Sequence, residues 1–189
     1  MSVERPTLYF DEPGPENTDE TLKAAKRRAE ELGITDIVVA STRGETGVKA
    51  AELFKGCNVV VVTHVTGFRE PGTQEFSQEA AERIRSLGGK VLTATHVFAG
   101  VSRAIRRKFG TATPVEVVAQ TLRMFGQGTK VCVEIVAMAA DAGLIPVDRD
   151  VIAIAGTGRG ADTALVIRPA HANRLFDMAI REIIAKPRL

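Results

Sequence analysis

The sequence contains four consecutive valines at 59–62, and Thr63 follows them directly. Successive side chains of a strand point to opposite faces of a sheet, so a strand without polar alternation is buried on both faces. The apolar runs at 37–40 and 151–155 also read as strands, and segments with helical spacing of apolar residues lie between the runs. This alternation predicts an α/β fold: a three-layer α/β/α sandwich with a mainly parallel, mixed central sheet and helices on both faces.

Length and composition favour one soluble domain over residues 1–189. Hydrophobic residues make up 44% of the chain, and the net charge of +2 gives no strong field for nucleic acid or membrane. No apolar run reaches membrane length and the N-terminus has no signal pattern, so we expect a cytoplasmic protein. Cys57 and Cys132 lack metal-ligand spacing, which predicts free thiols and no metal site.

Local signals predict where the other elements begin and end. Asn17 with Glu20, and Thr113 with Glu116, have the spacing of capping boxes that open helices. The segment 175–184 is compatible with a helix or a strand. The remaining predictions are strands at 7–10, 90–95 and 163–167, a loop at 64–76, and helices ending near 33, 54, 87, 109 and 142.

The stretch 41–47 joins a predicted strand to a predicted helix and is rich in hydroxyls and glycines. The first N–H groups of a helix lack internal partners and attract anions, so this stretch predicts a phosphate-binding turn. An ordinary strand-to-helix turn, with Ser41 or Thr42 serving as a helix cap, explains the same residues equally well. The candidate phosphate ligands are Ser41, Thr42, Arg43, Gly44, Thr46 and Gly47.

Polar residues also follow the other predicted strands. Because ligands of open α/β sheets bind at the carboxyl ends of the strands, these residues are expected to share one site. His64 and His96 could instead be turn residues bonded to the backbone, and the glycine loop could be a simple hairpin connection. The candidates at this edge are Thr63, His64, Thr95, Gly156, Thr157, Gly158, Arg159, Gly160, Asp162 and Thr163.

No arrangement of residues selects a catalytic group. Neither cysteine has a histidine nearby in sequence, and no serine lies in a GxSxG setting. Glu70, Glu75 and Asp162 are possible acids or bases, but their spacing does not distinguish them. The sequence supports a binding site and leaves open whether the protein is an enzyme.

Several segments resemble the C-terminal α/β domain of pyruvate kinase. The resemblance rests on Ser41-Thr42-Arg43-Gly44-Glu45-Thr46, on Ala50-Ala51-Glu52-Leu53, and on the strands at 58–63 and 151–155 with the glycine loop. In that domain the turn holds the phosphate of a sugar-phosphate effector. Ser41, Gly44 and Thr46 match this turn, whereas Arg43 stands where the turn usually has a hydroxyl.

Over nearly its whole length the chain resembles the stand-alone prokaryotic proteins known as pyruvate kinase C-terminal domain-like. That resemblance implies bound flavin mononucleotide (FMN), and by analogy a homo-oligomer. The barrel that contains the kinase active site has no room in 189 residues, so we expect no pyruvate kinase activity. The leading hypothesis is a protein that binds a phosphorylated ligand, most of all FMN. The alternatives are a regulatory module sensing a sugar phosphate or nucleotide, and a small flavin-dependent oxidoreductase.

Overall fold

The computed structural model describes residues 2–188, which form six α-helices and seven strands. The helices are α1 (Thr18–Leu32), α2 (Glu45–Leu53), α3 (Gln78–Ser86), α4 (Gly100–Phe109), α5 (Pro114–Arg123) and α6 (Gln127–Asp141). The strands are β1 (Leu8–Phe10), β2 (Asp36–Ala40), β3 (Asn58–Val62), β4 (Lys90–Leu92), β5 (Val151–Ala155), β6 (Thr163–Arg168) and β7 (Ala179–Pro187). Short 3-10 turns occupy Pro15–Asn17 and Ala172–Asp177.

All seven strands join one sheet in the order β1-β7-β6-β5-β2-β3-β4. β6 is antiparallel to both of its neighbours, β5 and β7, and every other pair is parallel. The carboxyl ends of the parallel strands therefore meet at one edge, and the β5–β6 hairpin also turns at that edge. The predicted mainly parallel, mixed sheet is confirmed.

A separate hydrophobic core covers each face of the sheet. On one face, α1, α2 and α3 pack through residues such as Leu22, Phe54 and Ile84 against alternate residues of β2, β3 and β5. On the other face, α5 and α6 pack against the remaining residues of those strands, including Val38 and Val60. The valine run is buried on both sides because its side chains alternate between the two cores, which confirms the sandwich.

The chain leaves β3 and β4 toward opposite faces. After β3 it continues through a long loop, 63–77, into α3 on the first face. After β4 it passes through residues 94–98 toward the second face, where Phe98 is buried beside α6. Adjacent strands with divergent connections leave a crevice at their carboxyl ends, which is where α/β sheets bind ligands.

Three local predictions need correction. Asn17 precedes α1, but its side chain donates to the Glu12 carbonyl at 2.8 Å and caps no helical N–H group, so this capping box is wrong. β4 ends at Leu92 rather than at 95, and α6 begins at Gln127 rather than at 131. On α4, Val101 and Phe109 are exposed.

Other local predictions hold. Thr113 and Glu116 form a reciprocal capping box at the start of α5. The segment 175–184 divides between the 3-10 turn and β7, whose register against β6 is irregular. Both cysteines are free thiols, with Cys132 buried and Cys57 half-buried. Within residues 2–188, no helix combines the length and apolar character needed to cross a bilayer.

Candidate functional site

A cavity of about 300 Å³ lies at the carboxyl edge of the sheet. The ends of β2 and β3, the 63–77 loop, the start of α4, the α5–α6 corner and the β5–β6 loop contribute to its walls. The sequence placed four loops at one edge, and all four contribute to the cavity, although His96 and not Thr95 represents the loop after β4. Its polar and aromatic lining residues include Ser41, Thr42, Thr46, Thr63, His64, Phe68, Arg69, His96, Arg103, Arg123, Gln127, Lys130, Glu134 and Arg159.

The turn before α2 presents hydroxyls to the cavity. Ser41 Oγ accepts hydrogen bonds from the backbone N–H groups of Gly44 and Gly47, each at 3.2 Å. Gly44, at φ +114°, is the N-cap residue itself, so Ser41 satisfies two of the donors at this helix end. Ser41, Thr42 and Thr46 all line the cavity. The turn therefore serves both as a helix cap and as a hydroxyl-rich wall.

The other three candidates of this turn lie outside the cavity lining. Arg43 is exposed, and its carbonyl accepts the Ser77 N–H at 3.1 Å beside α3. A Cβ on Gly44 would clash with Ala80, and a Cβ on Gly47 would lie 2.7 Å from Val61 Cγ1. Packing against α3 and β3 explains both glycines without any ligand.

The β5–β6 loop is both a hairpin connection and a cavity wall. Gly156, Gly158, Arg159 and Gly160 line the cavity. Behind them, the buried Asp162 carboxylate accepts the Thr157 N–H at 3.0 Å and the Thr163 hydroxyl at 2.8 Å, so these three residues shape the loop from inside. Thr157 Oγ1 is buried and has no hydrogen-bond partner among the described residues.

Thr63 and Thr95 occupy different surroundings. Thr63 lines the cavity, but its hydroxyl bonds the Thr93 hydroxyl at 2.7 Å and the His64 carbonyl at 2.8 Å. Thr95 is exposed outside the cavity, beside Gly100. Since β4 ends at Leu92, Thr95 belongs to the connection toward α4 rather than to the end of a strand.

Two histidines meet at the crevice between β3 and β4, each held by a carboxylate. His64 Nδ1 lies 2.8 Å from Glu75 Oε2, and His96 Nδ1 lies 3.4 Å from Glu134 Oε2. Their ring centroids are 5.7 Å apart. Phe68 stacks on His64 with a centroid distance of 4.0 Å, and the Arg103 guanidinium lies 4.9 Å from the Phe68 centroid.

A buried ion pair forms the floor of the cavity. Lys130 Nζ lies 2.5 Å from Glu134 Oε2, and their side chains are only 8% and 2% exposed. Glu134 Oε1 also accepts the Phe98 N–H at 2.9 Å, and Lys130 lies 5.5 Å from the Phe98 ring centroid. The pair is thus satisfied on both sides, as buried charges require.

Burial and ion pairing shift the pKa values of Lys130 and Glu134 in opposite directions. Burial alone would raise the pKa of Glu134, but the hydrogen bond from His96 and the Lys130 charge outweigh it and lower that pKa to about 2. Burial lowers the pKa of Lys130, and Glu134 only partly offsets that effect. Glu134 is therefore ionised at neutral pH, which supports the charged form of its partner.

Sequence reasoning missed the ion pair because the segment 131–142 looked uniformly apolar. Lys130 and Glu134 stand one helical turn apart, and charged residues at this spacing share one helix face. A lysine and a glutamate at i and i+4 beside an apolar run were the available signal. Arg69, Arg103 and Arg123 gave no local signal, because the tertiary fold alone brings them to this cavity.

The cavity carries an excess of positive charge. Five cationic side chains line it, and Glu134 is its one lining carboxylate among residues 2–188. The cationic residues are Arg69, Arg103, Arg123, Lys130 and Arg159. Within the same residues, no group of three or more histidines, cysteines or carboxylates has an arrangement suited to a metal ion. This charge distribution favours an anionic ligand.

A larger groove, of about 950 Å³, lies between residues 3–8, α1 and β7. It contains none of the candidate residues, and its Arg28 guanidinium is already paired with Glu182 at 2.7 Å and Glu31 at 2.6 Å. The carboxyl-edge cavity is smaller, but it combines hydroxyls, a strand-end position and the cations Arg103, Arg123 and Arg159, which form no ion pair among residues 2–188. We therefore place the candidate site there.

Solved structures that are similar to this chain include pyruvate kinases. The chain is similar to a pyruvate kinase from Cryptosporidium parvum, with 12% identity and a TM-score of 0.44 over 81% of this chain and 23% of that one. The same organism's pyruvate kinase in complex with ADP gives 13% identity and a TM-score of 0.40 over 87% and 24%. This chain therefore spans about a quarter of the length of those kinases.

A family model provides the stronger comparison. The model described as pyruvate kinase, alpha/beta domain, matches residues 19–167, from the first turn of α1 to the penultimate residue of β6. The matched region includes the turn before α2, the ion pair of α6 and the β5–β6 loop. The chain belongs to the pyruvate kinase alpha/beta domain family.

Proposed function

We propose that this protein binds a phosphorylated small molecule in the carboxyl-edge cavity, with FMN as the leading candidate. The observation that carries the proposal is the cavity lining, in which five cations and the hydroxyls of Ser41, Thr42 and Thr46 surround one carboxylate. Charged donors form the strongest hydrogen bonds to phosphate, and hydroxyls add neutral donors.

The turn before α2 is the proposed phosphate end of the site. Ser41 Oγ already accepts two backbone N–H groups, so its own proton is directed elsewhere and remains a donor for a ligand. Thr46 lies in the first turn of α2, where the helix dipole favours negative charge. Arg159 reaches the same cavity from the β5–β6 loop.

The donor set fits the phosphate of FMN, and aromatic residues of the cavity lining fit a flat ring. FMN would supply redox chemistry when bound. Phe68 and His64 form a stacked pair beside the cavity, and such aromatic faces bind planar rings by offset stacking. Arg103, above Phe68, adds a cation that can stack on the same surface.

The size of the cavity favours a second candidate, a small sugar phosphate. A volume of about 300 Å³ is at the lower end for ligand pockets, which span roughly 300–1,000 Å³. A sugar phosphate, which is smaller than FMN, would fit inside a cavity of this volume. A sensor of sugar phosphates or nucleotides therefore remains the alternative, and flavin-dependent oxidation and reduction would be a further property of an FMN complex.

Pyruvate kinase activity is not part of the proposal. The resemblance places the kinase active site in a barrel, and residues 2–188 form one open seven-stranded sheet.

Titration of the protein with FMN, followed by quenching of flavin fluorescence, tests the proposal. Thr46→Val removes a lining hydroxyl and keeps the side-chain shape, and Arg159→Met removes a lining cation. We expect each to weaken FMN binding at least tenfold. Arg43→Met is the matched control, because Arg43 belongs to the same turn but lies outside the cavity, and we expect less than a twofold change.

The outcomes separate the candidates. Binding of ribose 5-phosphate with no binding of FMN would favour the sensor, and bleaching of bound FMN by NADH would favour an oxidoreductase. Failure of FMN, ribose 5-phosphate and inorganic phosphate to bind would contradict the proposal as a whole. Equal effects of Arg43→Met and Arg159→Met would contradict the assigned location.

A further inference from the structure

The two histidines of the cavity differ in what their ring nitrogens contact. His96 has both nitrogens engaged: Nδ1 faces Glu134 at 3.4 Å, and Nε2 accepts the Val65 N–H at 3.3 Å. An Nε2 that accepts a hydrogen bond carries no proton, so His96 holds its proton on Nδ1, toward Glu134. His96 thereby links the β3 loop, the β4 loop and α6.

His64 is held only on one side. Its Nδ1 pairs with Glu75 at 2.8 Å, and no residue from 2 to 188 forms a hydrogen bond with its Nε2. The ring lines the cavity and is 26% exposed. The Phe68 ring, stacked at 4.0 Å, further restricts its orientation. An imidazole fixed at Nδ1 by a carboxylate and open at Nε2 has the arrangement that acid–base catalysis uses.

Glu75 is well placed to fix this ring. Its Oε1 accepts Arg69 Nε at 2.8 Å while Oε2 faces His64, so both carboxylate oxygens have partners. The hydrogen bond with His64 lowers the pKa of Glu75 most, and the charges of Arg69 and Arg43 lower it further against the effect of burial. An ionised Glu75 holds the Nδ1 proton and stabilises the imidazolium that forms when Nε2 gains a second one.

We propose that His64 exchanges a proton through Nε2 with the non-phosphate part of the phosphorylated ligand, and that Glu75 positions it. This proposal rests on the proposed function. In the forward direction a substrate O–H or C–H bond breaks, its electron pair stays on the substrate, and the proton forms a new N–H bond at Nε2. The reverse transfer returns the proton to the substrate and restores the neutral imidazole.

Carbethoxylation with diethyl pyrocarbonate tests the proposal, because the reagent attacks unprotonated, accessible imidazole nitrogens. The chain has three histidines, and peptide mass spectrometry reports the rate at each. His171 is the internal control: its Nδ1 also pairs with a carboxylate, Asp141 at 3.2 Å, but it lies outside the cavity. We expect His64 to react at least tenfold faster than His96, and saturating FMN or ribose 5-phosphate to protect His64 but not His171.

Calorimetry in two buffers of different ionisation enthalpy then measures the protons exchanged on binding. We expect His64→Asn to change that number by a measurable fraction of a proton and His171→Asn to leave it unchanged. Glu75→Gln should reduce the number of protons exchanged on binding, an effect that a purely structural role would not produce. The carbethoxylation rates are measured on the wild-type protein. The test therefore remains possible if the His64→Asn variant fails to fold.

The failures of the two proposals are distinguishable. If a probe binds but His64 is unprotected, or reacts no faster than His96, the proton-exchange role is wrong and the binding function stands. If no phosphorylated probe binds, both proposals are wrong. The ligand could protect His64 while His64→Asn leaves the number of protons exchanged on binding unchanged. His64 would then only contact the ligand, and the proposal would be overturned.

Discussion

At the scale of single residues, Glu134 has the most demanding surroundings in the molecule. Its carboxylate is 2% exposed and accepts from Phe98, Lys130 and His96, which lie in two different segments of the chain. A buried ion pair of this kind contributes little net stability compared with apolar residues, but removing one partner leaves the other charge buried without compensation. The cost of retaining this pair is consistent with a use for the Lys130 charge in the cavity.

Glu134→Ala should therefore destabilise the protein by about 3–5 kcal/mol, measured by urea denaturation. The double variant Lys130→Met with Glu134→Leu should be less destabilised than Glu134→Ala, because it leaves no charge buried without a partner. It still loses the acceptor of the Phe98 N–H and of His96 Nδ1, which costs about 1–3 kcal/mol. We expect the double variant to fold and yet bind FMN at least fivefold more weakly. Unchanged affinity in a folded double variant would show that the pair has only a structural role.

The pH dependence of stability provides a second residue-scale prediction. The folded pKa of Glu134 is about 2, below its ordinary value of 4.5, so its stabilisation is present above pH 4.5 and is lost as the pH falls toward 2. The difference in free energy of unfolding between wild type and Glu134→Gln should shrink over that range. Urea titrations at pH 7, 5, 4 and 3 measure it, and parallel pH profiles would contradict the assignment.

At the scale of elements, the β5–β6 loop is positioned by its contact with the start of α1. Thr18 Oγ1 accepts the Ala161 N–H at 3.0 Å, and the Thr21 hydroxyl donates to the Ala161 carbonyl at 3.3 Å. Gly160, at φ +67°, packs so closely that a Cβ would lie 2.5 Å from both Pro15 Cα and Thr18 Oγ1. These contacts, which we call the Ala161 clamp, fix the loop that carries Arg159 in the cavity lining.

Gly160→Ala and Gly158→Ala form a matched pair that isolates the effect of this clamp. Both glycines have positive φ, but a Cβ on Gly158 would meet no atom within 4 Å. Gly158→Ala should lower the free energy of unfolding by about 1–2 kcal/mol through backbone strain alone. Gly160→Ala should cost a further ~1–3 kcal/mol from overpacking, measured by urea denaturation. Equal losses would mean that α1 does not constrain the loop.

The helices differ widely in burial, which predicts different local stability. α6 is buried along almost its whole length, whereas α4 has no buried residue, begins at Gly100 and is followed by Gly110, both at positive φ. Elements with few buried contacts open most easily. We expect the amides of α4 to exchange at least ~100-fold faster than those of α6 in hydrogen–deuterium exchange. FMN should slow exchange in α4, because Arg103 lines the cavity; equal protection in the two helices would contradict this reading.

At the scale of the whole molecule, positive charge is concentrated in the cavity at the carboxyl edge of the sheet. The net charge is only +2, yet five cations and one carboxylate line a single cavity at the sheet edge. Elsewhere, charged side chains form ion pairs on the surface, as in Lys49 with Asp19 and Arg83 with Glu52. A nearly neutral protein can thus attract an anion to one edge without a general affinity for polyanions.

The salt dependence of binding follows from this concentration of charge. Raising KCl from about 0.05 to 0.5 M shortens the Debye length from roughly 14 to 4 Å, and should weaken FMN binding several-fold. Riboflavin, which lacks the phosphate, is the matched control ligand and should show little salt dependence. An identical response of the two ligands would mean that the cations do not bind the phosphate.

The amino-acid sequence alone determined the layered α/β architecture, because the valine run and its counterparts can be buried only between two helical layers. It also placed the turn before α2, His64 and the β5–β6 loop at one edge, since the carboxyl ends of parallel strands converge. The tertiary structure alone decided which groups meet there. Lys130 and Glu134 stand on α6 and Arg103 on α4, and their meeting with His96 and Phe68 depends on how these helices pack. It also decided that Thr95 and Arg43 lie outside the cavity, because strand ends and side-chain directions are set by packing.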